Sequence, residues 1–248
     1  MTEPALPTGR RREVIRQSWS VGIASGTYGI SFGALAVAAG LDVWQAQVLS
    51  LVLFTGGSQF AFVSIVGAGG VAAAPAAIAA SSMLGIRNGL YGLQTSRLLG
   101  VTGLRRLAAA HVTLDESTAV AIAQPEPEAR RLGFWQTGIA VFVLWNLSTL
   151  AGALLGNAFG DPRTLGLDAA AAAAFVALLW PRLRSRDAAA TAVLAMVVAL
   201  VTSPLLPAGM PVILAAVAAV AVGLRHPGRH EGALEGRDGT LPGADPLP

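Results

Sequence analysis

The sequence has no cysteine, no lysine and few charges of either sign. Without cysteine there is no disulfide framework, no thiolate nucleophile and no thiolate metal site. His111, His226 and His230, the three histidines, show no metal-ligand spacing. Charged residues are 12% of the chain, about half the share of a soluble domain. A surface so poor in charge does not stay dissolved, so much of it is expected to face lipid. No Walker A loop, H-E-x-x-H, G-x-S-x-G or haem-ligand pattern occurs, so the residues point to no enzyme chemistry and imply no cofactor. An ATP-driven pump would need its nucleotide site on another chain.

What the sequence has in abundance is apolar length. Of 248 residues 54% are hydrophobic, and the mean hydropathy is +0.61. Polar residues cluster between long apolar stretches instead of alternating with them, which predicts repeated membrane crossings rather than one buried core. The expected fold is all-α, a polytopic helical membrane bundle of about seven or eight spans, some of them broken or short. All 17 basic residues are arginine, and the pI is near 10.5. The arginines stand in short runs beside apolar segments, which suits cytoplasmic anchoring of loops better than a nucleic-acid partner.

Residues 1–17 are polar and basic and are expected in the cytoplasm, followed by a transmembrane domain over 18–224 and a disordered cytoplasmic tail over 225–248. Arg10, Arg11, Arg12 and Arg16 precede an apolar run, and Ala36-Val37-Ala38 resembles a signal-peptide cleavage site. That run is long enough to span, roughly 33 Å for about 22 residues, and reads as a retained first helix over 18–39. A second span is expected over 44–66, with Trp44 as an interfacial anchor. An Ala-rich stretch over 71–86, a mixed segment over 87–106, a fourth span over 107–123, a loop over 124–132 and a fifth span over 133–157 follow. Asp161-Pro162-Arg163 falls in the next loop, and three shorter apolar stretches cover 168–181, 188–203 and 209–224. Alternating spans put the loops at 67–70, 124–132 and 182–186 inside with the N-terminus and the C-terminus, but leave the four arginines of 87–106 outside. Either that segment is embedded in the protein or a neighbouring span is re-entrant.

Four places could carry chemistry. Thr55-Gly56-Gly57-Ser58-Gln59-Phe60 interrupts the second span with weak helix formers and polar groups that lipid cannot satisfy. Such broken helices expose backbone groups to a solute in many transporters, although a glycine packing contact with Gln59 bonded across helices is the plainer alternative. Asp115 and Glu116 lie in an apolar stretch, where carboxylates need a partner, a proton or water. They suit binding of a substrate amine or proton coupling; otherwise they lie near the start of a later span, or pair with Arg87, Arg105 or Arg106. Arg87, with Tyr91 one turn on, could offer a fork to a carboxylate or snorkel to a headgroup. Gly22, Gly26, Gly29 and Gly33 share one helix face suited to close packing, and Asn146, Ser148 and Thr149 suit interhelical hydrogen bonds.

Taken in order, Ser31-Phe32-Gly33, Gly57-Ser58-Gln59-Phe60, Arg87 with Leu90-Tyr91-Gly92, and Leu114-Asp115-Glu116-Ser117 resemble the AzlC family of branched-chain amino acid transporters. The landmarks cover roughly residues 18–155. A departure is Tyr28-Gly29-Ile30-Ser31, where the family's pattern has a proline before the Phe-Gly step. The resemblance implies a secondary exporter of valine, leucine or isoleucine in the bacterial cytoplasmic (inner) membrane, working with a small AzlD-type membrane subunit. It places Gly56, Gly57, Ser58, Gln59, Arg87, Tyr91, Asp115 and Glu116 on the substrate or coupling path. A rival reading, from the glycine face of the first span, is a membrane scaffold that transports nothing itself.

Overall fold

The computed structural model describes residues 6–159, 176, 180, 183, 186–207 and 210–225. Among them there are helices, turns and short connections, and no strand. The apolar stretch expected over 168–181, apart from two isolated residues, lies outside the described residues. So do Asp161-Pro162-Arg163 and the tail beyond Arg225.

Two long helices form the spine: α1 (Thr8–Ala38) and α7 (Pro127–Phe159). Both are long and apolar enough to cross a membrane. Their contact follows from the glycines of α1. A Cβ added at Gly22 would lie 2.7 Å from the Ala140 Cβ, and one at Gly26 2.8 Å from the Leu144 Cβ. At Gly29 it would lie 2.6 Å from the Trp145 carbonyl oxygen. Residue numbers rise together along both helices, so α1 and α7 run parallel. The glycine face serves packing within the chain, because only a missing Cβ lets two backbones approach this closely.

Between them the chain folds differently from a series of spans. α2 (Val43–Val52) starts where α1 ends, with Asp42 accepting from the Gln45 N–H while Gln45 Oε1 accepts from the Asp42 N–H. It stops at Leu53, where φ −89° and ψ 62° leave the helical region. α3 (Gly56–Gly69) then turns back, since a Cβ on Gly67 would stand 3.0 Å from that of Ala39 at the end of α1. At 1.5 Å per residue the two arms reach only about 15 and 21 Å. The second expected span, 44–66, is therefore a hairpin that enters and leaves at one end. The break falls at residues 53–55, and the glycines expected to interrupt the helix open its second arm instead.

A single 3₁₀ turn (Val71–Ala73) leads into α4 (Ala74–Leu99), antiparallel to α3. Pro75 sits in its first turn, and Gly100 ends it in the left-handed region at φ 59°. Much of the mixed segment expected at 87–106 is simply the second half of this helix. α5 (Gly103–His111) and α6 (Asp115–Ile122) make a second hairpin from the opposite end. His111 reaches inward to pack on Phe54 and Phe142. α6 returns along α7, with Val112 against Gly138 and Val120 against Gly133. The fourth expected span, 107–123, is thus also a hairpin, and Asp115 and Glu116 lie in the first turn of α6 rather than inside a continuous span. The loop expected at 124–132 is shorter, because α7 already starts at Pro127.

A hairpin does not change sides, so the ends of the elements are redistributed. Arg10, Arg11, Arg12, Arg16, Arg97, Arg105, Arg106, Arg130 and Arg131 all fall at the end where α1 begins, and the loop at 67–70 lies at the other end. This corrects the alternating arrangement and removes its misplaced arginines. α8 (Arg186–Thr202) and α9 (Met210–Arg225) match the expected stretches at 188–203 and 209–224 and pack on each other. Ile213 of α9 reaches the cluster of Ile65, Ala77 and Ala80.

Polarity runs inside out relative to a soluble domain. Gln59, Ser50, Ser117, Thr137 and Thr149 are fully buried, while Ile23, Ile78, Leu93, Leu147 and Leu154 are exposed. Asn146 accepts from Gln47 (3.4 Å) and Thr149 pairs with Ser50 (3.3 Å), the interhelical bonding expected of that cluster. At the arginine-rich end, Arg10 donates to Glu13 (2.9 Å), Gln124 (2.7 Å) and Glu126 (3.3 Å). Bonds to Glu13 and Glu126 raise the Arg10 pKa further above its ordinary value. The Glu126 carboxyl is held below the ordinary range, first by its own backbone N–H and then by Arg10.

Candidate functional site

The tips of the two hairpins meet near the middle of α1, α4 and α7. Between them lies a cavity of about 260 Å³, slightly under the ~300–1,000 Å³ of sites for drug-sized ligands. That is room for a small metabolite.

Each tip is fixed by one polar side chain. Gln59, fully buried, donates from Nε2 to the carbonyls of Ser50 (3.2 Å) and Leu53 (2.7 Å), which the break leaves without helical partners. Its Oε1 accepts from the Trp145 indole N–H at 2.9 Å. At the other tip, the Ser117 hydroxyl donates to the Val112 carbonyl (2.7 Å) and accepts from the Leu114 N–H (2.9 Å). A long amide is expensive to bury, and here it closes a gap in the backbone ladder. This matches the plainer of the two alternatives for Gln59.

The cavity wall combines charge on one side with apolar surface on the other. Arg87, at the middle of α4, pairs with Asp115 (Nη1 to Oδ2, 3.2 Å). Both keep partial exposure toward the cavity, 38% for the arginine side chain and 23% for the aspartate. The pair explains how an arginine stands half-way along this apolar helix: its partner is Asp115 at the tip of the second hairpin, rather than a headgroup. Gly57 leaves the guanidinium its room, since a Cβ there would stand 3.3 Å from Arg87 Nη2. Glu116 accepts from the Ser25 hydroxyl at 3.1 Å. Although adjacent in a helix, Asp115 and Glu116 both line the cavity, because it lies across the N-terminal end of α6. The N-terminal end of α3, at Gly56 and Gly57, faces it from the opposite side without a side-chain cap. Tyr28, Phe60, Leu84, Leu114 and Trp145 supply the apolar wall. Phe60 stands edge-on to Phe32 and to Trp145, with centroids 5.7 and 6.2 Å away.

Of the residues singled out in the sequence, Thr55, Gly56, Gly57, Phe60, Arg87, Asp115 and Glu116 line this cavity together. Ser58, Gln59 and Tyr91 do not line it. Ser58 is buried beside α4, near Gly85, and the Tyr91 carbonyl accepts from Thr95 at 2.9 Å. Ser25, Tyr28, Leu84, Asn88, Leu114 and Trp145 complete the wall and were not foreseen as a group. Trp145 sits in a long apolar run with no local signal. Ser25 and Tyr28 are flanked by glycines that draw attention to packing.

Comparison with known proteins bears on the same region. The family model described as AzlC protein matches residues 20–159, more than half of the chain and all elements that build the cavity. No curated protein and no solved structure shows a match. The chain belongs to the AzlC family, whose members are membrane proteins connected with transport of branched-chain amino acids.

Proposed function

We propose that this AzlC-family chain is a secondary exporter of valine, leucine and isoleucine, a multi-pass protein of the bacterial cytoplasmic membrane that works with a small AzlD-type subunit. The observation that carries the reading is a metabolite-sized cavity at mid-depth whose wall pairs opposite charges with apolar surface. A free branched-chain amino acid needs those three things: a donor for its carboxylate, an acceptor for its ammonium and a dry wall for its side chain. Arg87 supplies the donor, with the N-terminal end of α3 behind it. Glu116 and Asp115 supply the acceptors. Phe60, Tyr28 and Trp145 face the aliphatic branch. Asp115 in this scheme exchanges one partner for another: it holds Arg87 when the cavity is empty and faces the ammonium when the carboxylate takes the guanidinium. Gln59 and Ser58 act on the path indirectly, Gln59 by holding the hairpin tip and Ser58 at the α3–α4 contact.

The gathering of nine arginines at one end of the fold supports an orientation with that end in the cytoplasm. The outward apolar faces of α1 and α7 support the membrane location.

The test is efflux. Cells making this chain, with and without its small partner, are loaded with a leucine- or valine-containing dipeptide, and external amino acid is followed over time. Faster appearance outside, lost in Arg87→Ala and in Glu116→Gln with the protein still in the membrane, is the expected result. Equal rates in all strains, with both proteins present in the membrane, would remove branched-chain export.

A further inference from the structure

Ten of the thirteen residues lining the cavity fall in pairs a fixed distance apart in the chain. Ser25 and Leu84, Tyr28 and Arg87, Thr55 and Leu114, Gly56 and Asp115, and Gly57 and Glu116 are each separated by 59 positions. The same spacing relates the helices. α3 begins at Gly56 and α6 at Asp115; α2 ends at Val52 and α5 at His111. The sequences share little, although Gly26, Gly33 and Ser58 recur as Gly85, Gly92 and Ser117, and Phe32 recurs as Tyr91. Chance would not place five pairs of wall residues and two helix boundaries in one register.

Direction gives this repeat its meaning. α1 runs from the arginine-rich end to the other, and the α2–α3 hairpin returns half-way from there. α4 runs the opposite way, and the α5–α6 hairpin returns half-way from the arginine-rich end. The second unit is therefore the first turned upside down, an arrangement that gives one central site two equivalent entrances. Among the described residues, the first hairpin runs from one end to the cavity and the second from the other. Each is short and pinned at its tip by a single side chain, Gln59 or Ser117. Each also rests on an end contact: Gly67 on Ala39 for the first, Val120 on Gly133 for the second.

We infer that residues 25–60 and 84–119 are two inverted copies of one helix-plus-hairpin unit, and that the two hairpins are the outer and inner gates of the cavity, opening in turn. This rests on the transport reading for its purpose, but its geometry stands without a substrate. The copies have diverged in one informative way. Where the tip of the outer gate has Gly56 and Gly57 the inner one has Asp115 and Glu116, and Arg87 stands where the first copy has Tyr28. The ion pair therefore joins α4 to the inner gate alone, and a solute that competes for Arg87 loosens that gate first.

The absence of native cysteine makes the test direct. Ala39→Cys with Gly67→Cys locks the first hairpin, and Val120→Cys with Gly133→Cys locks the second. A Ser25→Cys reporter in the cavity is then labelled with a charged, membrane-impermeant maleimide after the lock has formed. Labelling is compared in whole cells and in inside-out vesicles of full-length protein. With the first lock the reporter should react only from the cytoplasmic side, and with the second only from outside. Reductant should restore labelling from both sides, which separates locking from misfolding. Labelling from the same side with both locks, or unchanged access with either, overturns the gates. Because the readout is labelling, side-specific access without amino acid efflux upholds the gates and removes the substrate; efflux with same-sided labelling does the reverse.

Discussion

Gly33→Ala isolates the contact on which the spine depends. Its added Cβ would collide with the Thr149 carbonyl oxygen and stand 2.6 Å from the Ala153 backbone nitrogen. Both are backbone atoms of α7 and cannot rotate away. Ordinary contact begins at 3.4 Å, so α1 and α7 must part locally by at least 3.4 − 2.6 = 0.8 Å. A gap of that size forfeits roughly a quarter to a half of each affected van der Waals contact. The neighbouring glycines hold the helices equally close, so the loss extends along the interface. Overpacking of this kind costs ~1–3 kcal/mol, and a backbone collision belongs at the upper end. At ~2–4 °C per kcal/mol for a chain of this size, the melting temperature should fall by roughly 6–12 °C. Gly89→Ala in α4 is the matched control, because a Cβ there meets nothing within 4 Å. Alanine is also the better helix former by ~0.5–1 kcal/mol, so this variant should melt with the parent or slightly above it. Thermal unfolding of both variants in one detergent decides the matter. If Gly33→Ala melts with the parent, the close parallel contact of α1 and α7 is wrong.

Gln59→Leu should cost ~1–3 kcal/mol, since it leaves the Trp145 N–H and the Ser50 carbonyl without partners and the Leu53 carbonyl with the Thr55 N–H alone; denaturation of the purified variant measures it. Trp145→Phe removes only one of those bonds and should cost less. Arg87→Lys keeps the charge but loses the planar fork, so efflux should fall about tenfold or more at equal expression. If Asp115 carries a coupled proton, Asp115→Asn should abolish the pH dependence of efflux; a surviving dependence assigns that role elsewhere. The Glu126 carboxyl has a folded pKa below its ordinary value near 4.5, so the stability it adds is present at neutral pH and is lost as pH falls through the folded value. Glu126→Gln should therefore melt below the parent at pH 7, and the difference should shrink as the pH is lowered through the folded value.

Much was legible along the chain because lipid imposes it locally. Apolar length placed α1, α7 and the apolar stretches that became α8 and α9. The spacing of Gly22, Gly26, Gly29 and Gly33 marked a packing face, and the polar groups at 55–60 and 115–116 marked interruptions. What the same rules could not tell is whether an interrupted stretch crosses or turns back. Residues 44–66 and 107–123 are long enough to cross, and hydropathy is the same for a straight path and a folded one. Three of the four arginines of 87–106, Arg97, Arg105 and Arg106, held the clue, since they fit one side only when the neighbouring stretches are re-entrant.

The sequence by itself determined that this is an apolar, helical chain with membrane-crossing character, because each residue's preference for lipid or water is its own property. It also determined where helices weaken, because glycine and paired carboxylates act on their own backbone. Only the tertiary structure decided that the two weak points meet, that Arg87 finds Asp115, and that Gln59 closes the backbone at one tip instead of facing the cavity. Those outcomes depend on which faces approach across dozens of intervening residues. The close passage of α1 along α7 and the return of each hairpin to its starting end set that approach, and no local preference encodes it.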